Sequence, residues 1–162
     1  MHAEILGTRA VRWPDEAACA ECARALAAHS EITEACIELH GPLGAGKTTF
    51  VRHLLRSLGV DGRIKSPSYA VVEPYELEGL KAWHFDFYRF GDPREWEDAG
   101  FRDIFAGRGL KLVEWPEHAG DLLPAPDLRL DIRPAIDADA RSVTIEACTP
   151  RGVRMLSTEH AK

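Results

Sequence analysis

Residues 41–48, Gly41-Pro42-Leu43-Gly44-Ala45-Gly46-Lys47-Thr48, set a lysine and a hydroxyl directly behind three glycines, a spacing suited to holding phosphate. The octet matches G-x-x-x-x-G-K-S/T in full. Its glycines let the backbone turn tightly, so that N–H groups from Gly41, Leu43, Gly44, Ala45 and Gly46 surround phosphate oxygens. A helix beginning at Lys47 adds the positive end of its dipole at the same point. Lys47 brings a flexible cation to the β- and γ-phosphates, and the Thr48 hydroxyl is the expected Mg²⁺ ligand. Thr49 is placed to donate to the α-phosphate. As a loop residue, Lys47 is expected to be exposed and to contribute little to packing.

Such a loop needs a carboxylate at the end of a neighbouring strand to organise the metal, and two are available. Glu114 ends Gly109-Leu110-Lys111-Leu112-Val113-Glu114, which has the shape of a Walker B strand. Asp86 lies in His84-Phe85-Asp86-Phe87-Tyr88-Arg89. On an extended segment His84, Asp86 and Tyr88 share one face, and Trp83, Phe85 and Phe87 the other. One strand then offers a polar triplet to the nucleotide and an aromatic face to the core, with Arg89 turned away from Asp86. An ordinary surface strand remains the alternative for both carboxylates.

The chain contains no asparagine and so lacks the Asn-Lys-x-Asp segment of guanine-specific enzymes, which favours adenine by elimination. No lid segment is visible, which weighs against a metabolite kinase. Lys65-Ser66-Pro67-Ser68 follows the phosphate-loop helix at the distance of a switch-like loop, and a plain proline turn fits it equally.

The elements that must position these groups follow from periodicity. Residues 15–29 read as a helix with Asp15 near its start, and residues 35–39 as a strand. Lys47 to Leu58 reads as a helix stopped by Gly59. Residues 69–77 and 81–88 read as a hairpin around Glu78-Gly79, with Pro74 pushing the first strand toward an edge. Residues 93–99 and 101–105 are short helix candidates. Residues 110–113, 128–133 and 143–147 read as strands. The sum is an α/β protein: a three-layer P-loop NTPase domain with a mixed central sheet and helices on its faces.

The chain of 162 residues fits one domain, expected over 1–157 with 158–162 as a frayed tail. Its 45% hydrophobic and 28% charged residues exclude a disordered or fibrous chain. No run approaches the ~20 apolar residues of a membrane span, and the N-terminus lacks a signal-peptide pattern, so the cytoplasm is the expected location. A net charge of −6 offers no footprint for a phosphate backbone. Arg52, Arg56 and Arg63 form the nearest basic cluster, and acidic neighbours interrupt it. Cys19 and Cys22 form a C-x-x-C inside an alanine-rich helix, without a second pair to complete a zinc site. With Cys36 and Cys148 they read as small packing residues.

Five segments occur in order: Gly44–Phe50, Lys65–Tyr69, Val72-Glu73-Pro74-Tyr75, His84–Arg89 and Val113-Glu114-Trp115-Pro116. Together they resemble the TsaE (formerly YjeE) family, the bacterial ATPase subunit of the tRNA threonylcarbamoyladenosine machinery. The resemblance runs from Pro14 to Val153. It implies that Lys47 and Thr48 bind phosphate and Mg²⁺, that Glu114 holds the metal, and that Asp86 supports hydrolysis at the γ-phosphate. It places Trp115 beside the nucleotide and brings Glu16 and Arg141 toward it. Pro42, Ser68 and Phe87 stand where the family usually has Asp, Thr and Leu. The implied function is an ATP- and Mg²⁺-dependent ATPase working with TsaB and TsaD homologues, which hold the tRNA and transfer the threonylcarbamoyl group to the adenosine beside the anticodon. Two rivals stay open: a small-molecule P-loop kinase, and a non-hydrolysing ATP-gated interaction module.

Overall fold

The computed structural model describes residues 4–67, 71–91, 100–136 and 139–157. The strands are β1 (Gly7–Trp13), β2 (Cys36–His40), β3 (Val72–Leu77), β4 (Leu80–Asp86), β5 (Leu110–Glu114), β6 (Leu128–Pro134) and β7 (Arg141–Ala147). The helices are α1 (Glu16–Ala27), α2 (Lys47–Ser57), α3 (Phe101–Ala106) and α4 (Pro150–Leu156), with 3₁₀ turns at Ser30–Glu34 and Pro116–Leu122. All seven strands join one sheet in the order β1-β7-β6-β2-β5-β4-β3. Its centre, β4-β5-β2-β6, is parallel, while β3, β7 and β1 pair antiparallel with their neighbours. This is the mixed α/β sheet that the sequence predicts.

Central strands covered on both faces are largely apolar, and β5 is buried at all five positions, with Leu110, Leu112 and Val113 joined by the buried charged residues Lys111 and Glu114. On one face Ile37, Leu39, Leu110, Leu112 and Leu130 pack with Leu26 of α1 and Phe50, Leu54 and Leu55 of α2. On the other, Phe85 and Val113 pack with Phe101 of α3 and Ala119 of the second 3₁₀ turn. Helix α2 stops where expected. Gly59 takes φ +106, Gly59 N–H donates to Arg56 O at 3.1 Å, and Val60 N–H donates to Leu55 O at 3.0 Å. That pair of bonds is a Schellman cap. At the other end of the chain, Thr149 caps α4 by accepting from Gly152 N at 3.0 Å, with Pro150 in the first turn.

Two differences from the sequence-based expectations bear on the site. Strand β4 ends at Asp86, not Tyr88, because the Asp86 carboxylate accepts the Tyr88 N–H at 2.9 Å and bends the chain. Alternation therefore no longer governs Tyr88 and Arg89. Strand β1 has no counterpart in the periodicity reading; it exists through its antiparallel pairing with β7. The expected helix at 93–99, the residues Ser68 and Tyr69, and the tail 158–162 lie outside the described residues. Among the described residues no helix is long and apolar enough to cross a membrane.

Candidate functional site

The carboxyl end of β2 delivers the chain into the glycine loop, and the loop delivers it into α2. Gly41 takes φ +144, and a Cβ there would fall 2.3 Å from the Ile132 carbonyl oxygen, so the tight passage beside β6 requires glycine. Gly46, at φ +112, immediately precedes α2 and has no atom within 4 Å of where a Cβ would stand. The inner surface of the loop is open to a ligand on that side.

Lys47 is not the exposed loop residue that its position suggests. It is only 5% accessible, its ammonium donates to the Gly41 carbonyl at 2.6 Å, and it stands 3.5 Å from the centre of the Trp115 ring. Burial lowers its pKa, and the negative charges of Glu114, Glu117 and Asp86 oppose that shift. The Trp115 ring reaches this position because its backbone adopts the left-handed conformation (φ 55, ψ 48) directly after β5. It also touches Tyr88 and His118, at 5.1 and 5.3 Å between ring centres. His118 Nδ1 lies 3.0 Å from Phe87 O and 2.9 Å from Tyr88 O, which ties the segment after β5 to the one after β4.

Glu114 and Asp86 end adjacent parallel strands as register partners. The Thr48 hydroxyl lies 3.0 Å from each Glu114 oxygen, so the first turn of α2 meets the end of β5 directly. Glu114 is 2% accessible and also receives His84 Nε2 at 2.6 Å. Burial raises the pKa of Asp86 above the usual carboxylate value; the Tyr88 N–H opposes this, and the charge of Glu114 reinforces it. A carboxylate with raised proton affinity beside a buried lysine is suited to accepting a proton or orienting water.

These groups line one cavity of about 370 Å³, which holds Leu43, Gly44, Gly46, Lys47, Thr48, Thr49, Asp86, Glu114 and Trp115. It also holds Ser66, Tyr88 and Arg89. Arg89 thus shares the cavity with Asp86, against the expectation from strand alternation, because the turn at Asp86 brings it back. Glu16, Ala45 and Arg141 line a second cavity of about 370 Å³ with Trp13, Cys19 and Asp139, and the two cavities meet along Gly46 and Thr49. Arg141 Nε donates to the Ala45 carbonyl at 2.7 Å, and Glu16 Oε2 lies 2.8 Å from His53 Nε2. The loop residues 41–49 with Asp86, Glu114, Trp115, Glu16 and Arg141, expected from the sequence at the nucleotide site, therefore lie at the loop or in one of two adjoining cavities. Sequence reasoning did not find the placement of Arg89, Trp13, Asp139 or His118, which depends on turns and distant pairings. His84 carried a signal, being polar within a buried strand. Among the described residues no further His, Cys, Asp or Glu joins the C-x-x-C in a metal-binding group; Cys19 is buried, and burial pushes its thiol up to about 12 and that of Cys22 to about 11.

A parallel strand, glycine loop and helix, with a carboxylate ending the neighbouring parallel strand, define a P-loop NTPase fold. A family model described as Threonylcarbamoyl adenosine biosynthesis protein TsaE matches residues 13–143. The chain belongs to the TsaE family. The tRNA threonylcarbamoyladenosine biosynthesis protein TsaE of Haemophilus influenzae is 40% identical over 121 residues, 75% of each chain. That of Bacillus subtilis is 38% identical over 111 residues, 68% of each chain. The crystal structure of Bacillus subtilis YdiB matches with a TM-score of 0.80 at 27% identity, over 99% of this chain and 100% of that one.

Proposed function

We propose that the chain binds ATP with Mg²⁺ and hydrolyses it, as the ATPase subunit that works with TsaB and TsaD homologues in threonylcarbamoylation of adenosine next to the tRNA anticodon. The observation that carries this reading is the contact of the Thr48 hydroxyl with Glu114, beside Asp86 and behind Lys47. The hydroxyl and the carboxylate are hard oxygen donors of the kind Mg²⁺ takes, with phosphate and water completing its shell. Mg²⁺ held there would neutralise charge on the phosphates. Lys47 would exchange the Gly41 carbonyl for phosphate oxygens. Asp86 would act at the γ-phosphate end, on the attacking water. Glu16 and Arg141 would face the base and sugar in the second cavity, which joins the first along Gly46 and Thr49. The net charge of −6 supports tRNA being held mainly by the partners.

Incubation with γ-labelled ATP, alone and with TsaB–TsaD, tests the reading. Free phosphate supports it. A labelled small-molecule acceptor would establish a kinase instead, and intact ATP within a stable complex would establish an ATP-gated interaction module.

A further inference from the structure

His84 is fully buried in the middle of β4, on the same face of the sheet as Ala82 and Asp86. Its Nε2 lies 2.6 Å from Glu114 Oε2, and its Nδ1 has no hydrogen-bond partner. An ionised carboxylate only accepts, so the hydrogen must sit on Nε2. Nδ1 is left in the interior without a partner. Such an arrangement is costly for packing alone, and a leucine at this position would bury no polar atom. The benefit must therefore lie at Glu114.

The two oxygens of Glu114 are not equivalent. Thr48 meets both at 3.0 Å, while His84 holds Oε2 alone. The His84 contact opposes rotation of the carboxylate about its terminal bond. It leaves Oε1, among the described residues, with the Thr48 hydroxyl as its side-chain partner, in a residue that lines the cavity with Lys47 and Asp86. We propose that His84 is a positioning residue that fixes the Glu114 carboxylate through Nε2–H, so that Oε1 and the Thr48 hydroxyl would be held ready for the Mg²⁺ that accompanies the nucleotide. The inference rests on Glu114 and Thr48 forming the metal-binding group. It assigns His84 no contact with nucleotide or metal.

The test measures affinity for a non-hydrolysable ATP analogue by calorimetry, in EDTA and in Mg²⁺, for the full chain and for His84→Leu and His84→Gln. The gain in affinity on adding Mg²⁺ should shrink about tenfold or more in His84→Leu, the usual range for losing a partner that orients a metal ligand, with affinity in EDTA changed less than about twofold. His84→Gln keeps an N–H donor near the Nε2 position and should recover most of the gain. An undiminished gain in His84→Leu overturns the proposal. So does an equal loss in the Leu and Gln variants, or an equal loss with and without metal. No Mg²⁺ gain in the unsubstituted protein would instead remove the metal-site reading itself. Should His84→Leu fail to fold, ¹⁵N NMR of the unsubstituted imidazole decides: Nε2 should carry the hydrogen directed at Glu114, and its signal should move when Mg²⁺ joins the bound analogue. The opposite tautomer, or a signal indifferent to Mg²⁺, overturns the assignment.

Discussion

Asp86 and Glu114 stand side by side as register partners at the carboxyl ends of β4 and β5, yet their environments differ. Glu114 accepts from Thr48 and His84 and is 2% accessible. Asp86 is half-buried, accepts the Tyr88 N–H, and holds its proton more tightly than a free carboxylate. Two neighbouring acids in unlike settings take unlike roles. Replacing Glu114 by Ala should mainly weaken Mg²⁺-dependent nucleotide binding, and replacing Asp86 by Ala should mainly lower kcat. Calorimetry with and without Mg²⁺, paired with single-turnover hydrolysis, checks both. The reverse pattern would exchange the roles.

The raised pKa of Asp86 also carries a sign for stability. Because the folded state favours the protonated form, the stabilisation from this group is present at low pH. It is lost as pH rises through the folded pKa. At pH 7 to 8 the charged carboxylate opposes folding, so Asp86→Asn, which keeps the acceptor for Tyr88 N–H, should melt at a higher temperature than the unsubstituted protein while hydrolysing ATP far more slowly. A lower melting temperature would contradict the electrostatic account.

Lys47 carries a similar penalty, since burial lowers its pKa. The fold favours the neutral form more than the unfolded chain does, so stability from this group is fullest at high pH and falls as pH drops through the folded pKa. Lys47→Ala should therefore leave the melting temperature near neutral pH unchanged or raised, although the residue is buried. Affinity for ATP should fall about tenfold or more with the loss of a charged donor to phosphate. Unchanged affinity in a folded variant would remove the phosphate-site assignment.

Arg141 bonds the Ala45 carbonyl and lines the second cavity with Glu16. Arg141→Ala should weaken ATP binding about tenfold to a hundredfold, the scale of one charge-assisted hydrogen bond, with little effect on kcat. Binding of inorganic triphosphate should change less than binding of ATP, because the second cavity is assigned to the base and sugar. Equal losses for both ligands would place Arg141 with the phosphates.

Hydrolysis by the chain alone should be slow, and phosphate release should rise several-fold or more when TsaB and TsaD are added. Asp86→Ala should abolish the rise. Charge placed on the γ-phosphate governs this reaction, and Arg89 shares the cavity with Lys47. It follows directly on Tyr88, a 42% accessible aromatic side chain on which a partner can bear. Arg89→Ala should lower the stimulated rate at least about tenfold while changing ATP affinity much less. A fast hydrolysis indifferent to both partners would show that the catalytic groups are complete within one chain.

The sequence by itself determined the local parts of this protein. The glycine spacing from Gly41 to Gly46 and the apolar periodicity from Phe50 to Leu55 specify loop and helix. The short run Leu110–Val113, apolar but for Lys111, specifies a central strand, because a strand covered on both faces is largely apolar. Only the tertiary structure decided what meets across the chain. The pairing of β4 with β5 sets Asp86 beside Glu114, and the contact between Thr48 and Glu114 closes over a sequence separation of 66. Strand β1 owes its existence to β7, and Trp115 covers Lys47 through a single left-handed residue that no periodicity announces. Arg89 shows the limit most directly. Alternation is a property of an uninterrupted strand, and one side-chain bond from Asp86 to the Tyr88 N–H ends the strand and turns the arginine toward the site.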